Sequence, residues 1–387
     1  MKADYILKSN AVFTGKDDKP FPGGVAVKGN KIVKVLKAGE VDSYEAEKVL
    51  DYGDQMIMAG FVDAHVHYFM GAISASDHLC VDITGTTSEE QCIEIMKKYA
   101  AEHPDEKRIL GLGWFPANWG DAPLPSKKSL DEAFPDRPAY LIAADIHTFW
   151  MNTLALEESG ITPDMKPRSG SVGVDENGEL NGLLFEPDAF APAMVKVQEF
   201  DTETMIEINE AFLKDIARNG VTSISEMSAD PYADGVFEKY MSVKEMEKQG
   251  KLTARMHIYT ELAGHTDFSV AKEWQKELYS EKLRLNGVKG FIDGVASTYT
   301  GLLLEPYSDN PETKGIGVPN VPQSELEPCI IAANAAGLPV RLHCIADGST
   351  RMALDMYEAS LKANGMHGLP NTVEHIENIH PDDIPRF

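Results

Sequence analysis

From residue 58 onward the chain alternates short apolar runs with longer amphipathic segments, and few folds accept that order. The runs fall at 61–67, 221–227, 254–260, 286–293, 338–344 and 371–377. Helix-like stretches occupy 202–219, 231–250, 268–282, 323–336 and 348–363. Strands that each lead into a helix imply parallel βαβ units. Repeated, they give the pattern of a βα barrel, whose strand ends converge on one face.

Two segments stand apart. Residues 1–58 read as short strands at 5–7, 11–14, 24–27 and 31–36, separated by turn residues such as Pro22-Gly23-Gly24 and Gly29-Asn30. Four short strands are a poor core alone, so this part is expected to be the N-terminal portion of a small β-sandwich, with the barrel running from 59 to 387. Between the first two barrel strands lies an excess too long for a structureless loop. It carries strand-like pieces at 108–113 and 138–144 and a stretch at 163–190 rich in Gly, Pro and Asp, read as loop. Residues 70–200 are therefore expected to form an inserted α/β subdomain over the barrel mouth.

The residues that carry chemistry sit at the ends of the strand-like runs. His65 and His67 end the first, Lys289 lies in the fourth, His343 in the fifth and His375 in the sixth. A strand alternates its side chains with period two, so His65 and His67 share a face. Two imidazoles side by side are half of a divalent metal site. A single histidine at a strand end is more often a hydrogen-bonded, half-buried residue. What favours the ligand reading is the order of all five along successive strands. For Lys289 the plainer reading is a charged residue paired with Asp293.

Bulk composition removes several functions. The chain has 387 residues and a formal net charge of -25, which repels nucleic-acid phosphates. No apolar run approaches a membrane span, and the start has no apolar leader. Four scattered cysteines, Cys80, Cys92, Cys329 and Cys344, do not make a disulfide framework and suit a reducing cytoplasm. A small-molecule substrate is the expected partner, and a homo-oligomer is compatible with this composition.

Taken together, these residues resemble the YtcJ-like (amidohydrolase 3) branch of the amidohydrolase superfamily, a branch that includes N-substituted formamide deformylases. The resemblance rests on Gly60-Phe61-Val62-Asp63-Ala64-His65-Val66-His67, on Asp145-Ile146-His147-Thr148-Phe149-Trp150-Met151-Asn152 with Ala155-Leu156, and on Gly182-Leu183-Leu184-Phe185-Glu186. It continues through Val288-Lys289-Gly290-Phe291-Ile292-Asp293-Gly294, His343 and His375. Ala59 stands where the family usually has proline. The resemblance implies a (β/α)8 metal-dependent hydrolase barrel with a flanking β-sandwich. It makes His65, His67, Lys289, His343 and His375 the ligands of one or two divalent ions, zinc first among the candidates. Lys289 is then carboxylated, since an ammonium has no lone pair to give.

The implied reaction is hydrolysis of a non-peptide C–N bond in a small amide, formamide or cyclic amide by metal-activated water. Substrate recognition is expected from the insert. His147, which ends an apolar strand, is placed to donate a hydrogen bond to a substrate carbonyl. Trp114, Trp150 and Tyr299 are further candidate contacts, Trp119 belongs to the same aromatic set, and Arg168 is a weaker candidate. Core packing is the plainer reading of Phe115 and Phe149.

The sequence departs from the family at its end. The family's eighth strand carries an aspartate that takes the proton from the attacking water, and no counterpart stands before Phe387. Asp382 and Asp383 follow His380-Pro381 and read as helix-start acids. The expectation is that about 100 to 150 further residues follow in the natural protein and that residues 1–387 alone are inactive. A catalytically inactive metal-binding protein and a hydrolase of lactones or esters on the same site are the alternatives.

Overall fold

The computed structural model describes residues 2–16, 18–120, 122–167, 170–229, 235–310, 321–366, 368 and 370–387, with Ser228 and Ala229 described by backbone alone. The chain divides into two compact units, Met1–Val62 with Gly220–Thr222, and Asp63–Asn219 with Ser223–Phe387.

The first unit holds strands β1 (Ala3–Phe13), β2 (Phe21–Lys28), β3 (Lys31–Lys37), β4 (Ala46–Asp51) and β5 (Met56–Met58). They form one five-stranded sheet ordered β3-β2-β1-β4, with β5 also on β1. The runs read separately at 5–7 and 11–14 are one strand. A bulge between Ser9 and Val12 interrupts its pairing with β2. There Ser9 Oγ donates to the Gln55 carbonyl at 2.5 Å, so a polar residue stays buried mid-strand. Ala3, Ile6, Ala26, Leu36 and Val41 make the small core.

The second unit is built on two sheets. One takes β6 (Phe61–Val66) and the later strands. The other lies wholly in the insert: β7 (Val81–Asp82), β8 (Ile109–Trp114), β9 (Ala139–Ala143), β10 (Thr148–Met151), β11 (Ser171–Val174) and β12 (Leu180–Phe185). Its order is β11-β12-β10-β9-β8-β7. The stretch 163–190 is therefore not all loop. Its glycines conceal a hairpin: the Asp175 carboxylate accepts from Asn177 and Glu179 N–H to close the turn. Gly182, at φ +99, lets β12 pass where a Cβ would meet the Met151 carbonyl oxygen at 2.6 Å. A helix over Pro187–Val197 follows.

The remaining strands are β13 (Val221–Ala229), β14 (Arg255–Glu261), β15 (Leu283–Phe291), β16 (Val340–Cys344) and β17 (Thr372–His375). From β13 to β17 neighbouring strands pair in parallel. The sheet is ordered β17-β16-β15-β14-β13-β6. Helices connect these strands where amphipathic segments predicted them. The helix Thr202–Arg218 begins on an Asp201 side chain that accepts from Thr204 N–H, carries Glu203 in its first turn and ends on Arg218. That order suits its dipole. The helix Val236–Lys248 is the described part of the stretch 231–250.

β6 and β17 are the outermost strands of this six-stranded sheet. In a flat sheet they would lie about 24 Å apart, at about 4.8 Å per strand. Instead the rings of His65 on β6 and His375 on β17 are 4.7 Å apart. The sheet is therefore curled, and its strand ends are gathered. At the chain end, Pro381–Arg386 forms a 3₁₀ turn rather than an α-helix start. Its cap is His380, whose Nδ1 accepts from Asp382 N–H, while buried Asp383 takes Arg351 and Arg386 at 2.9 and 3.0 Å.

Among the described residues no helix is long and apolar enough to cross a membrane. All four cysteines are buried thiols outside any disulfide.

Candidate metal centre

Four of the five expected ligands are imidazoles, and the curl brings them together. Ring centroids lie 5.4 Å apart for His65–His67, 4.7 Å for His65–His375 and 4.5 Å for His343–His375. His65 ends β6, and His67 is the residue that opens the helix Tyr68–Ser74. His343 is buried on β16, while His375 is the exposed member at the end of β17. His375 and Ile376 both have positive φ, +72° and +50°. Backbone in this region costs about 1–3 kcal/mol per residue and persists where the surroundings fix it.

For His67, His343 and His375, desolvation favours the neutral form, the one that ligates. It lowers the pKa of His67 to about 3 and that of His375 to about 4, with nearby cationic groups adding to the effect. His343 is held well below its ordinary value, again by burial first.

Lys289 is fully buried on β15, and its Nζ has no hydrogen-bond partner among the described residues. Burial lowers its pKa to about 8, against an opposing pull from Glu374. The pairing with Asp293 considered from sequence does not form. Asp293 instead accepts backbone N–H groups from Leu302, Ile345 and Ala346 at 3.0–3.1 Å.

The donor set fits a divalent ion in kind. Metal-bound histidines usually have their second ring nitrogen tied to a carboxylate or carbonyl. Here His65 Nδ1 is bonded to Glu374, and His343 Nε2 lies 3.1 Å from the Gly294 carbonyl oxygen. Those bonds leave His65 Nε2 and His343 Nδ1 available. The orphaned Lys289 amine beside them is the kind of buried polar group that a structure keeps for a ligand. The side chains are gathered but not closed: among the described residues no group of three or more His, Cys, Asp or Glu is disposed to hold an ion as it stands.

Beside the cluster lies a cavity of about 970 Å³, lined by all four imidazoles, by His147 and by an apolar wall that includes Met70, Phe190, Met194 and Met205. Its size is at the upper end of the range for small-molecule sites. His147 reaches it from the turn between β9 and β10, with its ring 5.2 Å from that of His343.

The other aromatic candidates lie elsewhere. Trp114 and Trp150 are fully buried in the core of the insert sheet, their rings 5.8 Å apart. Their indole N–H groups donate to the carbonyls of Leu141 and Ser126. They are core residues and not cavity contacts. Trp119 packs with them, and Phe149 stacks on Phe190 at 4.5 Å. Tyr299 is partly exposed, outside the cavity lining, with its hydroxyl 3.2 Å from Asp309. Arg168 lies outside the described residues.

Sequence reasoning missed two carboxylates. Glu374 holds His65, and Glu186 accepts from His147 Nδ1 at 2.7 Å. Each ends or adjoins a strand-like run, and Glu186 also closes one of the motifs that carry the resemblance.

A curled parallel sheet with imidazoles and a buried lysine at its gathered strand ends defines an amidohydrolase-type fold. The chain belongs to the Amidohydrolase family, whose model matches residues 48–387. It is 27% identical to Protein LONG AFTER FAR-RED 3 of Arabidopsis thaliana, over all of this chain and 66% of that protein. It is 29% identical to the putative amidohydrolase YtcJ of Bacillus subtilis, over 88% of this chain and 62% of that one. N-substituted formamide deformylase of Arthrobacter pascens is 24% identical over 87% of this chain and 62% of the deformylase. The chain thus spans somewhat less than two thirds of the length of these relatives. An uncharacterized metal-dependent hydrolase from Pyrococcus horikoshii shares the fold, with a TM-score of 0.72 at 24% identity, over 99% of this chain and 72% of that structure.

Proposed function

We propose that the protein is a metal-dependent hydrolase that cleaves a non-peptide C–N bond in a small amide, formamide or cyclic amide. The observation that carries this reading is the gathering of four imidazoles, with a buried lysine whose Nζ has no hydrogen-bond partner among the described residues, at the strand ends of a curled parallel sheet. We read the six strands as part of a (β/α)8 barrel. His65, His67, His343, His375 and carboxylated Lys289 would hold one or two divalent ions, with zinc the first candidate. The chemistry such an ion supplies is water activation near neutral pH and polarisation of a carbonyl.

The chain's own residues do the rest. A neutral Lys289 amine can attack carbon dioxide. The new N–C bond gives a carbamate and releases one proton, which turns a buried orphan donor into an anionic oxygen ligand. Glu374 and the Gly294 carbonyl fix two imidazole orientations. The apolar wall excludes water and seats the organic part of the substrate.

The test is a hydrolysis screen of N-formyl and N-acyl amines with zinc-loaded protein, reading release of the free amine. Turnover that disappears in His343→Ala is expected. Turnover of lactones with none of any amide would replace this reading with the ester-hydrolase one.

A further inference from the structure

His147 was expected to donate a hydrogen bond to a substrate carbonyl, and the structure argues for the opposite polarity. A neutral imidazole carries one N–H. The His147 Nδ1 lies 2.7 Å from Glu186 Oε2. A carboxylate facing Nδ1 selects the Nδ1–H tautomer of a neutral imidazole, and that tautomer leaves a lone pair on Nε2. The ring lines the cavity and is 8% exposed. We infer that His147 and Glu186 form a substrate-orienting pair, in which Glu186 fixes the tautomer and His147 Nε2 accepts a hydrogen bond from a substrate N–H. The site would then select amides that keep a hydrogen on nitrogen over their N-alkylated counterparts. This inference rests on the amidohydrolase reading above and names its substrate class more narrowly.

The pair is built. Glu186 is 1% exposed and takes a backbone φ of +70°. Ile146, beside His147, has a φ of +60°. Two positive-φ non-glycine residues, one in the pair and one beside it, need surroundings that over-determine them. Glu186 N–H donates to the His147 carbonyl at 2.9 Å, and His147 N–H to Asp145 Oδ1 at 3.0 Å. Ser297 Oγ donates to the other Asp145 oxygen at 3.1 Å. The second Glu186 oxygen accepts from Thr300 Oγ1 at 2.9 Å. Room for that carboxylate exists because residue 294 is glycine: a Cβ there would stand 2.3 Å from Glu186 Oε1. Both carboxylate oxygens are therefore used, and neither is free to turn toward a substrate.

Glu186 is a positioning residue, and His147 is the group that touches substrate. A site built to hydrogen-bond a substrate N–H rejects the analogue lacking it, because the buried partner is left unpaired. The comparison to make is kcat/KM for an N-alkylformamide and its N-methyl derivative. The wild type should favour the N–H compound by about tenfold or more. In Glu186→Gln the preference should fall toward one, with the loss confined to the N–H compound. A purely structural role would lower both rates together and keep the ratio, and that result would overturn the inference. Thr300→Val, which removes only the outer bond, should move the ratio the same way by less and covers a poorly folding Glu186 variant.

A second readout is independent of turnover. Imidazole ¹⁵N shifts of His147 should report protonation at Nδ1 in the wild type, and protonation at Nε2 overturns the inference. If no amide is hydrolysed, the function reading fails by itself. Calorimetric dissociation constants for the same two compounds then make the comparison, and equal values, or binding of neither, overturn the pairing.

Discussion

Arg341 Nη1 lies 3.2 Å from Glu374 Oε1, and the other oxygen of Glu374 receives Nδ1 of His65. The same guanidinium group donates to the Ala64 carbonyl at 2.5 Å. One arginine on β16 thus ties the carboxylate on β17 to the backbone of β6, closing the two ends of the sheet around the imidazoles. Burial alone would raise the Glu374 pKa. The His65 bond, Lys289 and Arg341 outweigh it and hold the carboxyl at about 2. Glu374→Gln should weaken metal binding by about 10- to 100-fold, the usual cost of removing a carboxylate behind a histidine ligand. Competition titration against a chelator measures it, and unchanged affinity would separate Glu374 from the metal site.

Lys289 is a buried amine whose Nζ has no hydrogen-bond partner among the described residues. Lys289→Met should therefore stabilise the metal-free protein, by about 1–3 kcal/mol for an unsatisfied polar group. The same variant should lack the carbamate carbon signal that the wild type shows after equilibration with ¹³C-labelled carbon dioxide. A destabilised metal-free variant would mean that the amine has a partner in solution.

Gly294 accepts His343 Nε2 through its carbonyl and leaves room for Glu186. An added methyl would stand 2.1 Å from Thr300 Oγ1 as well. Gly294→Ala should cost about 1–3 kcal/mol by overpacking. Chemical denaturation reads the loss, and a variant as stable as the wild type would show that this loop can move aside.

Much of this site was legible because short apolar runs alternate with amphipathic segments, and three of the six runs carry a histidine at or near their ends. The six barrel-like strands and the helices after them follow from that pattern. Glu374 was not legible, because neighbours on a strand face opposite sides. Here the positive φ of His375 breaks the alternation and lets both residues serve one site. Trp114 and Trp150 misled because aromatic density does not tell a core from a cavity wall. Only their indole bonds to backbone carbonyls do. The hairpin of β11 and β12 was hidden by the glycines that make its turn and close packing possible.

Glu226, in the lining of the same cavity, offers a pH-dependent test. It is buried on β13, accepts from Tyr68 N–H at 2.5 Å and from the Tyr240 hydroxyl at 3.3 Å, and burial raises its pKa to about 7. A carboxyl whose folded pKa lies above its unfolded value of 4.5 holds its proton longer when folded. The stability it contributes is therefore full below pH 4.5 and falls as pH rises toward 7. Glu226→Gln removes that slope. Denaturation at pH 5 and pH 8 should show the variant gaining on the wild type at the higher pH; a difference that is constant with pH would place the titration elsewhere.

The central claim is that the imidazoles gathered at the strand ends hold a divalent ion. Metal content after zinc loading and gel filtration tests it most directly, comparing the wild type with the double variant His65→Ala/His67→Ala and with His343→Ala. The account predicts at least one tightly held ion per wild-type chain and its loss in both variants. A wild type that retains none, or variants that retain as much as the wild type, would contradict it.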